Sequence, residues 1–487
     1  MAKAKIFLTL GVFSSLLYSE TQELRQAVKS NGQVLYFDKQ KRVQNFTEMF
    51  TQGEIYGRLR NNNFYFTYQH QDTTHANQLI SGVGGSLIYR SARYYGLDAQ
   101  IGFYYTKSFF DEKDRYAVFK AGKDTFSRFE YANSGRTDLS VLGQANIGYT
   151  YSKTNLRIGR QLVETFYTKS NDTKMIPNTF DGAVLTSKNI PESKITFAYL
   201  AKQKLRDHKE SHALFMVGDS LSAPGVLQPQ WSENDDSAML KGLTYTNLIK
   251  AGKPTDSPLI ILEGENSSFT NLKLNFSSYL VPELLSQVMT EANYKIAFNG
   301  FSLTPGLRYI HQFDNGAGAV AGASLTPLLN NTTAYKDPDS LNADMIAARL
   351  VVRFDDYKLN LGYTDIFDKA DLVTPWRGFP TSGYTRSMGM YNWKANTKSY
   401  RIELVKGANA KGIYTKPFIQ TSILYMDGDE KKTPLAQSLY YYFGIVQNIP
   451  AMQNLQYRVR LGYRDFCKAS SDVSDYLDAR FELNYLF

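Results

Sequence analysis

SDYLDARFELNYLF, residues 474–487, is the stretch of this sequence that decides its fold. Every second side chain is apolar or aromatic: Leu477, Ala479, Phe481, Leu483, Tyr485 and Phe487. Most of the residues between them are polar: Asp478, Arg480, Glu482 and Asn484. A period of two predicts a β-strand with one apolar and one polar face. Such a strand suits a half-buried sheet in a soluble protein or a tilted strand that crosses a membrane.

The composition favours strands at a membrane interface. The 487 residues include 35 Tyr and 30 Phe but only 3 Trp. Aromatic residues favour strands, and Tyr places its ring in an apolar layer and its hydroxyl in water. The formal charge of +9 is spread along the chain without a dense basic run. We therefore expect no nucleic-acid partner.

The N-terminus has the pattern of an export signal. Residues 1–19 combine Lys3 and Lys5 with an apolar run, which predicts a signal peptide. No later stretch approaches eighteen apolar residues, so an exported chain of this kind is secreted, periplasmic or an outer-membrane barrel. Residues 20–52 are expected to be a periplasmic segment with a short helix at 23–30. The single cysteine, Cys467, cannot form an internal disulfide.

Alternating segments separated by turn residues continue through residues 53–487, which we take as one domain. They predict an all-β fold, a transmembrane antiparallel β-barrel of about eighteen strands. The expected strands lie at 54–69, 84–92, 95–105, 141–151, 155–161, 179–187, 194–204, one within 239–264, 270–279, 290–298, 301–312, 343–354, 357–365, 395–406, 413–426, 437–447, 454–466 and 474–487. The phase of the first strand changes at residues 61–63, which predicts a bulge there.

The lengths of the links support a barrel over a soluble sandwich. Each short link joins an even strand to the next odd one, at 152–154, 188–193, 299–300, 355–356 and 448–453. Each long link joins an odd strand to the next even one, at 106–140, 162–178, 205–238, 313–342 and 366–394. Outer-membrane barrels have short periplasmic turns and long external loops, whereas a sandwich has no reason to sort its loops in this way.

Several motifs resemble those of OprD-type porins. Ile158-Gly159-Arg160-Gln161 ends a strand, and residues 170–182, SNDTKMIPNTFDG, follow as a run similar to that family's third-loop signature. Lys174 stands where the family usually has Arg. Residues 82–96 resemble the second strand and turn. Pro375-Trp376, Tyr384-Thr385-Arg386 and residues 395–398 resemble the seventh loop and the strand after it.

The resemblance implies a monomeric, eighteen-stranded channel in the outer membrane of a Gram-negative cell, with inward-folded third and seventh loops. It also implies a basic ladder along one wall that favours small carboxylate-bearing solutes such as amino acids, peptides or organic acids. Phe487 resembles the last-strand signal for the outer-membrane assembly machinery. The remaining expected partners are outer-membrane lipid and lipopolysaccharide.

Alternation assigns nine arginines to the lumen face. A guanidinium in a narrow passage attracts anions and can hold a carboxylate through two parallel hydrogen bonds. Alternatively, each arginine pairs with a neighbouring acid such as Asp478, Glu403 or Glu482. The predicted ladder is Arg157, Arg308, Arg349, Arg353, Arg401, Arg458, Arg460, Arg464 and Arg480.

The two inward loops supply candidates for a constriction. A narrow eyelet needs donors and acceptors that replace the hydration of a solute. An ordinary exposed loop is the alternative for the third loop. The candidates are Tyr167, Lys169, Asn171, Asp172 and Lys174 in the third loop and Arg377, Tyr384 and Arg386 in the seventh.

Signals for catalysis are weak, and we expect no enzyme, no cofactor and no metal. His208 and His212 are four residues apart but lack the Glu of a metalloprotease motif. No Gly-x-Ser-x-Gly turn occurs. The sequence thus predicts passive, selective diffusion of small anionic solutes. A general, weakly selective porin and an adhesin that binds through the loops at 106–140, 205–238 and 313–342 remain alternatives.

Overall fold

The structure is a computed structural model that describes residues 25–71, 77–110, 122–214, 242–324, 334–407, 413–432, 437–467 and 474–487. The predicted signal peptide at 1–19 lies outside these residues. Parts of the three loops considered for adhesion also lie outside them.

Eighteen antiparallel strands form a closed barrel in which each strand pairs with its neighbours in the chain. The number of strands is confirmed, and the segment at 239–264 contributes a single strand that begins at Leu259. The strands are β1 Glu54–Tyr68, β2 Gln78–Arg90, β3 Leu97–Phe110, β4 Asp138–Tyr151, β5 Thr154–Gln161, β6 Thr179–Ser187, β7 Ser193–Lys204, β8 Leu259–Asn266, β9 Leu272–Val281, β10 Leu285–Tyr294, β11 Phe301–Asp314, β12 Ala343–Phe354, β13 Tyr357–Ile366, β14 Thr397–Lys406, β15 Phe418–Asp427, β16 Ser438–Ile449, β17 Met452–Phe466 and β18 Tyr476–Leu486.

The C-terminal strand closes the barrel against β1. The pairing runs from Tyr476 opposite Tyr68 to Leu486 opposite Arg58 without a shift. Gly57 and Phe487 then exchange two backbone hydrogen bonds of 2.9 and 3.1 Å. Closure leaves neither strand with an unpaired edge, which is the condition for a sheet in lipid.

The two faces of the wall differ as the alternation predicts. Large apolar side chains such as Leu59, Phe103, Ile147 and Phe481 are exposed on the outside of the barrel. An outer apolar band of this kind suits a lipid bilayer. Inside, one apolar cluster joins the loops of the long-loop end to the wall and includes Trp376.

Short elements occupy the connections. The helices are α1 Phe46–Thr51, α2 Arg128–Ser134, α3 Tyr245–Lys250 and α4 Gly318–Ala321, with a 3₁₀ turn at Lys123–Thr125. Two-residue strands at Arg42–Val43 and Arg93–Tyr94 pair in parallel, and Ile296–Ala297 extends the sheet beside β11. Within the described ranges no helix is long and apolar enough to span a membrane.

The helix expected at residues 23–30 is wrong. Gln26–Val28 is a strand that pairs with Val34–Tyr36 in an antiparallel hairpin. Gln26 donates from Nε2 to the carbonyl of Phe487, and Ala27 and Val28 are buried. These tertiary contacts override the helical propensity of so short a segment, since two turns of helix are marginal in water.

The bulge expected at residues 61–63 is also wrong. The registers of β1 with β2 and with β18 run without a shift through these residues. Asn62 is fully buried, whereas Asn61 and Asn63 lie on the outer face. The apparent change of phase arises because Phe64, Phe66 and Tyr68 continue the inner face as aromatic residues. Outside, Asn63 bonds Asn61, which bonds Ser81.

This register makes a testable prediction about the three asparagines. Asn61→Leu with Asn63→Leu should leave channel conductance unchanged and keep the barrel folded, because both side chains face lipid. Asn62→Leu should disturb the third loop, because the Asn62 amide donates to the carbonyl of Lys174. Heat-modifiable migration in gels and single-channel recordings would check both. A conductance change in the outer double variant with none in Asn62→Leu would contradict the register.

Candidate functional site

The third loop, residues 162–178, and the seventh, residues 367–396, form one structural unit inside the barrel. Lys169 N donates to the carbonyl of Trp376 at 3.0 Å, and Gly378 N donates to that of Tyr167 at 2.9 Å. A Cβ on Gly378 would lie 2.1 Å from the carbonyl oxygen of Phe166. The contact therefore requires glycine.

Aromatic side chains attach this unit to β9. Tyr279 lies between Tyr167 and Trp376 with edge-to-face ring separations of 4.7 and 5.1 Å. All three are buried, and the Trp376 indole donates to the carbonyl of Leu214 at 2.8 Å. Burial of such rings gives large stabilisation, and each polar tip has a hydrogen-bond partner.

A carboxylate attaches the third loop to β1. Asp172 accepts from Arg58 and from Nη1 of Arg60, the latter at 2.6 Å. Arg58 is 1% and Arg60 is 4% exposed. Two buried guanidinium groups therefore share one carboxylate, which fixes the loop across the lumen.

Two arginines of the predicted ladder, Arg308 and Arg349, hold the seventh loop in place. Arg308 Nη1 donates to the carbonyls of Pro380 at 2.6 Å and Ser382 at 2.9 Å. Arg349 Nη1 donates to the carbonyl of Gly383 at 3.0 Å. Both guanidinium groups lie over the ring of Tyr384, at 4.5 and 4.7 Å from its centroid.

Beside the joined loops lies a basic cavity of about 690 Å³. Among the described residues, a single acidic residue, Asp478, lines it. The side chains with a positive charge that line it are Lys174, Arg206, Arg377, Arg386, Arg401, Arg458, Arg460, Arg464 and Arg480. Because these groups face a confined space, they raise the local concentration of anions.

Several of these arginines pair with acids on the wall, as the alternative interpretation expected. Arg401 bonds Glu403, and Arg460 bonds Glu482. Arg480 Nε donates to Asp478 at 2.8 Å. A paired guanidinium keeps donors for a solute, but its charge is largely balanced.

Three guanidinium groups of the cavity lining, those of Arg386, Arg458 and Arg464, have neutral contacts. Arg464 Nε donates to Ser438 Oγ at 3.2 Å. Arg458 Nη1 donates to the carbonyl of Ser30 at 2.8 Å. Arg386 lies 4.3 Å from the ring centroid of Phe379, and its Nε and Nη1 find no hydrogen-bond partner among the described residues. Burial lowers the pKa of Arg386 to about 10, so it stays protonated at neutral pH. Arg386 therefore brings to the cavity lining a positive charge without an acidic partner among the described residues.

An aromatic wall lines the same cavity beside the arginines, and the sequence analysis missed it. It consists of Phe66, Tyr68, Tyr442, Phe466 and Tyr476, with Phe379 and Tyr391 from the seventh loop. The bulge expected at residues 61–63 turned Phe66 and Tyr68 towards lipid. The polar and apolar positions of this strand change phase at residues 61–63, so the sequence carries no signal for the correct face.

The structure brings together only part of the predicted site. Five ladder arginines line the cavity: Arg401, Arg458, Arg460, Arg464 and Arg480. Four loop candidates also line it: Asn171, Lys174, Arg377 and Arg386.

The other predicted residues lie elsewhere. Tyr167, Asp172 and Tyr384 are buried behind the cavity as anchors, and Lys169 lies 3.8 Å from Glu164. Arg157 bonds Asp98 at 2.7 Å, and the exposed Arg353 stands opposite Lys358. Alternation identifies the inner face, but only loop packing decides which inner side chains reach the cavity.

Removal of the Asp172 carboxylate should release the third loop. Asp172→Ala leaves Arg58 and Arg60 buried without their shared anion, which costs about 3–5 kcal/mol of docking free energy. We expect faster protease cleavage in residues 162–178 and larger current fluctuations. The control, Asp138→Asn, removes an exposed partner of Arg136 and should change little. Equal behaviour of the two variants would rule out the anchor.

The histidine pair lies in a buried part of the loop that follows β7. The His208 and His212 rings are 5.1 Å apart, and residue 212 exchanges two backbone bonds of 2.8 Å with Gln203. Burial lowers the pKa of His208 well below its usual value and that of His212 to about 4. In the described part of the chain, no three His, Cys, Asp or Glu residues group as metal ligands.

These lowered pKa values predict a pH-sensitive loop. The undocked histidines take up protons near pH 6.5, whereas docked His212 does so only near pH 4. The two histidines therefore contribute stability to docking that is fully present above pH 6.5 and is lost as the pH falls towards 4. Buried Asp207 opposes this contribution, because its pKa is raised to about 7. We expect the amides at 203–214 of the parent protein to lose more exchange protection between pH 6.5 and 4, after correction for intrinsic rates, than those of the double variant His208→Gln, His212→Gln. Equal pH profiles in the two proteins would disprove the dependence.

Comparisons with known proteins agree with this architecture. A family model described as outer membrane porin, OprD family, matches residues 121–432. OccK8 (OprE) of Pseudomonas aeruginosa has a TM-score of 0.66 at 15% identity, covering 90% of this chain and 99% of that one. OccAB4 of Acinetobacter baumannii has a TM-score of 0.63 at 14% identity, covering 89% of this chain and 98% of that one. OpdK of Pseudomonas aeruginosa with vanillate has a TM-score of 0.60 at 14% identity, again covering 89% of this chain and 98% of that one. A search of curated proteins finds no match.

Proposed function

Because this chain belongs to the OprD family of outer-membrane porins, we propose that it admits small anionic solutes, above all carboxylates, by passive and selective diffusion. The observation that carries this proposal is the charge of the cavity. Among the described residues, nine basic side chains line it, and three of them, Arg386, Arg458 and Arg464, have neutral partners. Fixed guanidinium groups around a narrow passage favour anions over cations.

Arg386 and Arg458 are the proposed contacts for a solute carboxylate. Arg386 holds unused donors beside an aromatic wall, and Arg458 gives one of its donors to a neutral carbonyl. A carboxylate offers a charge-assisted, two-bond alternative to either arrangement. The paired Arg401, Arg460 and Arg480 supply further donors along the wall. Vanillate, the molecule in the OpdK structure, is itself a carboxylate, which supports the same solute class here.

We further propose that the protein works as a monomer in contact with outer-membrane lipid and lipopolysaccharide. The assembly machinery would insert it by recognising the last strand with Phe487. The closed outer wall with its apolar side chains supports contact with lipid on all sides.

Single-channel recording in planar bilayers tests the proposed solute class. We expect anion selectivity from reversal potentials and a concentration-dependent block by vanillate, with little block by the neutral vanillyl alcohol. Arg386→Gln with Arg458→Gln should raise the half-blocking vanillate concentration about tenfold or more, as loss of roughly 1.4 kcal/mol of binding requires.

The control Arg136→Gln removes an exposed charge far from the cavity lining and should leave the block unchanged. A large, unblocked conductance would instead indicate a general porin. No conductance in a folded barrel would favour the adhesin hypothesis.

A further inference from the structure

The N-terminal hairpin, formed by Gln26–Val28 and Val34–Tyr36, occupies the barrel interior. Its turn, residues 29–33, is closed by a 2.8 Å bond from Lys29 N to the carbonyl of Gln33. Its base lies at the short-turn end of the barrel, where Gln26 bonds the carbonyl of Phe487 and Arg25 pairs with Asp38. The hairpin therefore extends from the periplasmic mouth into the lumen.

The hairpin tip, residues 29–33, contacts the third loop and two strands of the wall. The carbonyl of Gly32 accepts from Arg58 Nη1 on β1 at 2.8 Å. Asn31 Nδ2 donates to Glu164 of the third loop at 3.1 Å. The Ser30 carbonyl accepts from Arg458 Nη1 on β17 at 2.8 Å. These contacts hold the tip between the third loop and the wall.

The tip also packs on the anchor of the third loop. Gly32 has a φ of +80°, and a Cβ there would lie 1.8 Å from the carbonyl oxygen of Asp172. Only glycine fits both the conformation and the approach. The hairpin and the third loop therefore support each other through Arg58, which bonds both.

The tip leaves little room on one side. Between Val28, Lys29 and Ser30 and the facing wall of Tyr442, Gln456 and Arg458, the structure has a cavity of about 30 Å³. That space holds on the order of one water molecule. On the other side of the tip, the exposed Ser30 lines the basic cavity. The tip of a hairpin that enters from the periplasmic mouth therefore borders the basic cavity.

We propose that the hairpin tip is a third element of the constriction, an intraluminal plug that limits the size of the solutes that pass. It acts with the third and seventh loops and is attached from the periplasmic side. This inference rests on the porin function but not on the proposed carboxylate selectivity.

A thiol introduced at the tip tests the plug without removing any contact that holds it. The variant Ser30→Cys in a Cys467→Ala background keeps the Ser30 carbonyl and its bond to Arg458. A bulky, charged methanethiosulfonate reagent should then lower the single-channel conductance by about half. The matched control, Ser267→Cys in the same background, lies in an exposed turn outside the lumen and should not respond.

Removing the tip should have the opposite effect. Deletion of residues 25–38 should raise conductance about twofold and admit larger polyethylene glycols, and Gly32→Ala should act in the same direction. Heat-modifiable migration identifies folded barrels. If the deletion variant does not fold, the thiol experiment alone tests the plug.

An unchanged conductance in modified Ser30→Cys, with an unchanged size limit in folded Gly32→Ala, would overturn the plug. A parent protein without conductance would overturn the porin function instead, and conductance without carboxylate block would overturn only the solute class.

Discussion

A strand in lipid must find partners for all its backbone amides and carbonyls within the protein, because hydrocarbon offers none. The pairing of β18 with β1 meets this requirement, and the two bonds between Gly57 and Phe487 complete the circle. Once the wall is closed, side chains can face only lipid or lumen. The period of two therefore separates an apolar outside from a polar inside around the whole barrel.

Contacts inside the barrel hold the third and seventh loops in place, since these loops have little regular structure of their own. These contacts are of two kinds, buried ion pairs and contacts between aromatic rings. Asp172 holds Arg58 and Arg60 on β1, while Trp376 and Tyr167 clasp Tyr279 on β9. A buried carboxylate left without its guanidinium partners would be costly, so these contacts tolerate few alternative arrangements. Tyr167 and Asp172, which the sequence suggested for solute contact, thus anchor the third loop to the barrel wall.

The balance between paired and unpaired arginines follows from the same geometry. On the inner face of β18, Asp478, Arg480 and Glu482 follow one another. Arg480 therefore meets Asp478 on its own strand, and Arg460 on β17 meets Glu482. Arg386 comes from the seventh loop and meets aromatic rings instead. The proposed selectivity for anions would therefore depend most on the arginines with neutral partners, such as Arg386 and Arg458, and less on the length of the ladder.

The sequence by itself determined the strand number, the sorted loop lengths and the inner face of most strands, because alternation and turn residues are local signals. It also indicated the basic lumen around Arg458 and Arg460. Only the tertiary structure decided that residues 26–28 form a strand, that Phe66 and Tyr68 face inward, and that Arg308 and Arg349 hold a loop. The reason is physical. These outcomes depend on contacts between residues far apart in the chain, whose energies outweigh local preference.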